Sequence, residues 1–350
     1  MTAAGEVMPR AAELHGRSLV LNGLCGSMAL PRSPDAPFDL PDSMRKGGVT
    51  AVNLTVSVSD GFHATCTNLS NLLCAIDRRA DDGVRLARTV DDIVSAKADG
   101  GTAIIVGFQN SDPIEGSFAY LDLFHRLGLR IMQLTYQRRN LAADGKGEPE
   151  GAGLSVFGRE LVAELNRLGI LIDLSHTGIA GTLETIGLSQ APVAITHSCL
   201  QRFNPVARNA TDEEVKELAA KGGVFGMNAV ARLISPSGRQ EGATIDQLVD
   251  QIDYLVELVG VDHIGLGLDI NEGLTPELFE ERRRGFLTAF PELRMGGDFP
   301  FEHYYAFGLT TMANMPLITD ALVRRGYGDD DVAKILGGNF MRLLRDVWAA

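Results

Sequence analysis

Cysteine is scarce in this chain. Four residues, Cys25, Cys66, Cys74 and Cys199, occur in 350, and no two of them form a CxxC pair. Neither a paired-thiol motif nor a disulfide framework is legible, and four free, mostly buried thiols are expected of a reduced, cytoplasmic protein. Long apolar runs are also missing. None approaches the ~20 residues of a membrane-spanning helix. The opening MTAAGEVMPRAAELHG lacks the basic-then-apolar pattern of a signal peptide, and the closing RDVWAA lacks the apolar tail of a lipid-anchor signal. Basic charge is in deficit, with 32 Lys and Arg against 45 Asp and Glu and a net charge of −13. That balance argues against nucleic acid or an anionic membrane as a partner. No GxGxxG follows the first apolar run, which removes the usual dinucleotide site. No internal repeat or low-complexity segment is present.

What is present is an alternation. Hydrophobic residues are 45% and charged residues 22%, ordinary for a folded globular chain. Eight apolar stretches read as strands: Leu19–Gly23, Val49–Val56, Thr102–Gln109, Ile131–Tyr136, Ile170–Leu174, Val193–Ile195, Val224–Ala229 and His263–Ile270. Helical segments separate nearly every pair. Phe157–Leu168 is amphipathic and stopped by Gly169, and Thr211–Lys221 opens with the capping-box pattern Thr211-x-x-Glu214. The alternation predicts a (β/α)8 barrel over residues 19–270, preceded by a short helix (1–18) and followed by a C-terminal loop and helices (271–350). An open, doubly wound sheet is the competing arrangement. The polar loop Gln137–Gly153 is unusually long and reads as a lid or substrate loop.

The strand ends carry the chemistry. In a parallel barrel they share one rim, and here they read Asn22, Ser57, Gln109, Tyr136, His176, His197, Asn228 and Asp269. His176 and His197 end two consecutive strands, which makes them natural ligands for a catalytic metal. The alternative is two unrelated histidines, each satisfied by a hydrogen bond. Asp269 suits a third ligand, a general base or an orienting partner, with an N-cap as the structural alternative. Period-2 alternation sets Gly265 and Gly267 beneath it, where they would leave open volume. Arg208 could hold a substrate carboxylate or an oxyanion, or form a surface ion pair. Tyr136 could donate to the same oxyanion or simply fill the barrel. Among the remaining histidines, His15 is expected on the surface of the first helix and His263 at the opposite end of the barrel.

With these residues in view, the sequence resembles the membrane (renal-type) dipeptidase family of zinc metallo-hydrolases, from about Leu19 to Arg345. The segments that carry the resemblance are GLSVFGRELVAELNRLGILIDLSH, APVAITHS, ARNATDEEV, LVGVDHIGLGLD and ILGGNF. The resemblance implies a (β/α)8 barrel, two bridged zinc ions and hydrolysis of dipeptides, often with a D-residue at the C-terminal position. It implies that His176 and His197 bind one zinc, that Arg208 contacts the substrate or intermediate, and that Asp269 is the acid/base. The match is incomplete. The family's first strand ends DGHxD; here Asn22 to Gly26 read NGLCG, so Leu24 and Gly26 stand where a histidine and an aspartate would ligate the other zinc. Gln109 stands at the bridging glutamate, and Tyr136 at a substrate-binding histidine. The expectation is therefore one zinc ion rather than two, on His176, His197 and Gln109, with Tyr136, Arg208 and Asn228 facing a dipeptide or similar small molecule. A homodimer is the candidate assembly. The competing readings are different metal-assisted chemistry on a modified amino acid, and a metal-free, non-catalytic relative.

Overall fold

The computed structural model describes residues 7–149, 151–289 and 299–348. Its parallel strands are β1 (Leu21–Cys25), β2 (Ala51–Ser57), β3 (Val84–Leu86), β4 (Thr102–Phe108), β5 (Leu129–Gln133), β6 (Leu171–Asp173), β7 (Ala194–Ser198), β8 (Val224–Met227) and β9 (Ile264–Leu266). The hydrogen-bonded order is β2-β1-β9-β8-β7-β6-β5-β4, and β2 pairs with β4 to close the ring. Eight strands thus make the expected barrel. The additional strand, β3, is one the sequence reading missed. It lies against the start of β4, Val84 opposite Thr102, while β5 takes the end of β4 from Val106 onward. Three residues are too few to show a period. The barrel strands are buried on both faces, as continuous apolar runs such as TAIIVGF require.

Local chemistry sets the helices. Thr211 and Glu214 form the predicted capping box: the Glu214 amide donates to Thr211 Oγ1 at 3.2 Å, and the Thr211 amide to Glu214 Oε2 at 2.8 Å. The Val156–Leu168 helix is capped by Ser155 Oγ, buries Leu161, Val162 and Leu165, and ends at Gly169 with φ of 65°.

The last helix, Asn339–Trp348, closes the barrel floor. Phe340 fills the slot left by two glycines: a Cβ at Gly265 would lie 2.5 Å from its ring, and one at Gly23 would lie 2.8 Å away. A Cβ at Gly267 would lie 1.7 Å from the Thr196 carbonyl. The expected open volume beneath Asp269 is therefore absent, because ring and backbone already fill it. The first helix, Pro9–Arg17, packs on Pro316–Arg325. His15 is not on the surface as expected. It is buried, with Nε2 2.7 Å from the Gly47 carbonyl and Nδ1 2.7 Å from Thr319 Oγ1, because a helix more than 300 residues away covers it.

Candidate active site

The carboxyl ends of the strands ring one pocket, whose lining includes Gln109, Tyr136, His176, Arg208 and Asp269. His197 lies fully buried just behind His176, with the two Nε2 atoms 3.1 Å apart. Asn228 is also buried and reaches the pocket through another residue: its Nδ2 donates to Asp269 Oδ2 at 3.3 Å. Five of the seven anticipated residues thus line the pocket, and the other two stand directly behind it.

Asp173, which the sequence reading did not single out, organises the two histidines. Its Oδ1 accepts from the Ser175 and Thr196 amides at 3.0 and 2.9 Å and from the Ser175 hydroxyl. Its Oδ2 accepts from Thr196 Oγ1 at 2.6 Å and Gln133 Nε2 at 2.8 Å. A carboxylate inside an apolar strand must be satisfied this fully, and that requirement is the signal in ILIDLSH. Because the Thr196 hydroxyl gives its proton to Asp173, it accepts from His197 Nδ1, 2.8 Å away. His197 then carries its hydrogen on Nδ1 and a lone pair on Nε2.

His176 is fixed differently. Its ring stacks on Tyr136 with centroids 4.2 Å apart, and its Nε2 accepts from Arg208 Nη2 at 3.2 Å. Its Nδ1 is buried with no hydrogen-bond partner among the described residues. Burial first, and the Arg208 charge second, hold both imidazoles well below the usual histidine range, so both are neutral. Two neutral rings with lone pairs facing across 3.1 Å cannot hydrogen-bond each other. The pair fits a shared cation.

The other half of a two-ion centre does not fit. Leu24 is a buried apolar side chain. The space a side chain at Gly26 would need is taken: a Cβ there would lie 2.0 Å from Asn271 Oδ1. Asn271 is held by Tyr305, whose hydroxyl accepts from its backbone amide at 2.9 Å. Gln109 commits its Nε2 to Thr55 Oγ1 at 2.7 Å.

Arg208 and Asp269 complete the site. Arg208 is buried and also donates to the His197 carbonyl at 2.7 Å and to Ser198 Oγ at 3.2 Å. Asp269 has φ of 57°, the left-handed region where a non-glycine residue is strained, and the Tyr305 hydroxyl holds its carbonyl at 3.1 Å. Cys199 is no nucleophile: burial pushes its thiol up to about 12. The loop 137–153 is tied down. Lys146 donates its amide to the His176 carbonyl at 2.8 Å, and its buried ammonium pairs with Glu214 at 2.8 Å.

Comparison with known proteins identifies the family. The family model described as Membrane dipeptidase (Peptidase family M19) matches residues 24–283 and 292–350. Dipeptidase tcpJ of Claviceps purpurea is 28% identical over 279 residues, covering 79% of this chain and 58% of its own length, so this chain spans little more than half of that relative. The crystal structure of an amidohydrolase from Pseudomonas aeruginosa is 35% identical, covers 97% of this chain and 99% of its own, and superposes with a TM-score of 0.85. A metallo peptidase from Rhodobacter sphaeroides, liganded with a phosphinate mimic of L-Ala-D-Ala, shares the fold at 22% identity and a TM-score of 0.77, covering 95% of this chain and all of its own. The chain belongs to the membrane dipeptidase family, peptidase family M19.

Proposed function

We propose that this protein hydrolyses a small amide bearing a carboxylate, a dipeptide first of all, with one zinc ion held by His176 and His197 and the Gln109 carbonyl oxygen as a further donor. The observation that carries this reading is the 3.1 Å approach of the two histidine Nε2 atoms beside the pocket that Arg208 and Asp269 line. When bound, such an ion supplies a Lewis acid and a water of lowered pKa. The chain's own residues do the rest. Arg208 orients the substrate carboxylate or the developing oxyanion with its fixed N–H groups. Asp269 takes a proton from the attacking water and returns it to the leaving amine. Asn228 holds the Asp269 carboxylate, and Tyr136 fixes the plane of His176 by stacking.

A D-residue at the C-terminal position is part of this reading, and L-Ala-D-Ala is the first such substrate to try. A second, metal-free binding role is favoured by one contact: the Arg208 guanidinium already sits on the His176 lone pair. A panel of L,L- and L,D-dipeptides and N-acyl amino acids separates the two. Wild type should turn over members of the panel, His176→Ala should lose metal and activity together, and Asp269→Asn should keep metal while losing about 10²–10⁴-fold in kcat. A metal-loaded wild type inert on the whole panel would remove the dipeptidase reading.

A further inference from the structure

The pocket contains a second guanidinium for which the hydrolytic steps have no use. Arg232 belongs to the short helix Ala231–Ile234 and lines the same pocket as Arg208 and Asp269. Its backbone is firmly placed. The Ala231 amide donates to the Tyr304 carbonyl at 2.9 Å, the Val230 amide donates to Asn228 Oδ1 at 2.7 Å, and the Arg232 carbonyl accepts from Asn204 Nδ2 at 2.8 Å. The asparagine that supports Asp269 therefore also sets the position of Arg232.

The two arginines differ in what they already hold. Arg208 donates to His176, to Ser198 and to the His197 carbonyl. Arg232 has a buried Nε with no hydrogen-bond partner among the described residues. A buried N–H donor kept in that condition is unfavourable until an acceptor reaches it, and the planar guanidinium donors suit a carboxylate. The lining also includes the apolar side chains Leu233, Leu274 and Phe279. Both guanidinium-bearing residues line the one pocket. A single substrate carboxylate on Arg208 would leave Arg232 unanswered.

We infer that the substrate carries a second carboxylate, bound by Arg232, on the same side of the scissile amide as the one bound by Arg208. The class is a dipeptide or N-acyl amino acid whose C-terminal residue is acidic. This rests on the proposed hydrolysis for the amide, but not for the two anions. Arg232 is then a specificity-determining residue, not a proton carrier.

Binding and turnover test it separately. Calorimetry of the full chain with N-acetylglutamate and N-acetylglutamine, run on wild type, Arg232→Gln and Arg232→Lys, compares ligands alike but for one charge. Wild type should bind the glutamate about tenfold tighter or more, as a charge-assisted hydrogen-bonded pair implies. The ratio should fall to about one in Arg232→Gln and be partly kept in Arg232→Lys, as loss and retention of the charge require. The kcat/KM ratio for Ala-Glu against Ala-Gln should follow the same order. Equal affinities in wild type, no binding of either ligand, or a ratio that survives Arg232→Gln would overturn the inference. Discrimination that follows Arg232 without turnover of any amide would sink the hydrolytic reading and leave this one standing; turnover without discrimination would do the reverse.

Discussion

One lone pair at His176 has two claimants. Arg208 donates to its Nε2 at 3.2 Å, and the His197 Nε2 faces it at 3.1 Å. A metal on the two rings must displace or share that guanidinium and also feels its charge. Arg208→Gln should therefore bind zinc roughly a hundredfold tighter or more, since removing a unit charge a few ångströms away is worth several kcal/mol at intermediate dielectric. The same substitution should lower turnover. Competition against a chromophoric chelator measures the first effect, and an unchanged or weaker affinity would show that Arg208 and the metal do not share the site. At this scale the histidines and Asp269 were legible as candidates because each follows an apolar run, and Arg208 because it lies in ARNATDEEV, one of the segments that carry the family resemblance. Asp173 and Arg232 were not. One sits inside an apolar strand and the other inside a short helix, and their surroundings are completed by elements that adjoin only after folding.

Among its described residues, the loop 137–153 is fastened by a buried ion pair between Lys146 and Glu214. Lys146 also reaches the Asn209 carbonyl at 3.3 Å, next to Arg208, and its amide holds the His176 carbonyl. One side chain thus ties the loop to both halves of the site. Lys146→Met leaves a buried carboxylate unpaired and should cost about 3–5 kcal/mol in chemical denaturation. Lys146→Met combined with Glu214→Gln removes the charge while keeping the cap, and should recover most of that loss. Equal instability in the single and double variants would contradict the pairing. The capping box around Thr211 was readable, because its two members are three residues apart. The lysine partner is 68 positions from Glu214, and no local pattern announces it. The same distance in sequence explains why the loop read as a lid: its polarity was visible and its anchors were not.

For the whole molecule, alternating apolar runs and helices were enough to give the barrel, since a closed parallel sheet needs strands buried on both faces. How the ends of the chain close it was not legible. Phe340 fits a slot made by glycines in β1 and β9, and His15 is covered by a C-terminal helix. Burial lowers the His15 pKa from its ordinary value. Below the unfolded value of about 6.5 the unfolded chain binds this proton first, so stability is lost as pH falls from there toward the native pKa. His15→Gln should flatten the slope of unfolding free energy against pH by up to about 1.4 kcal/mol per unit in that window; an identical slope would show that His15 titrates normally in the fold. The candidate metal site stands at the opposite rim. Two facing imidazoles remain there, and the space beside Gly26, where a second ion's ligand would stand, is filled by Asn271. The direct test is the metal content of the purified protein after loading with zinc and removal of excess, beside His176→Ala and His197→Ala. The account predicts about one equivalent in wild type and near none in either variant; two equivalents in wild type, or full occupancy in a variant, would contradict it.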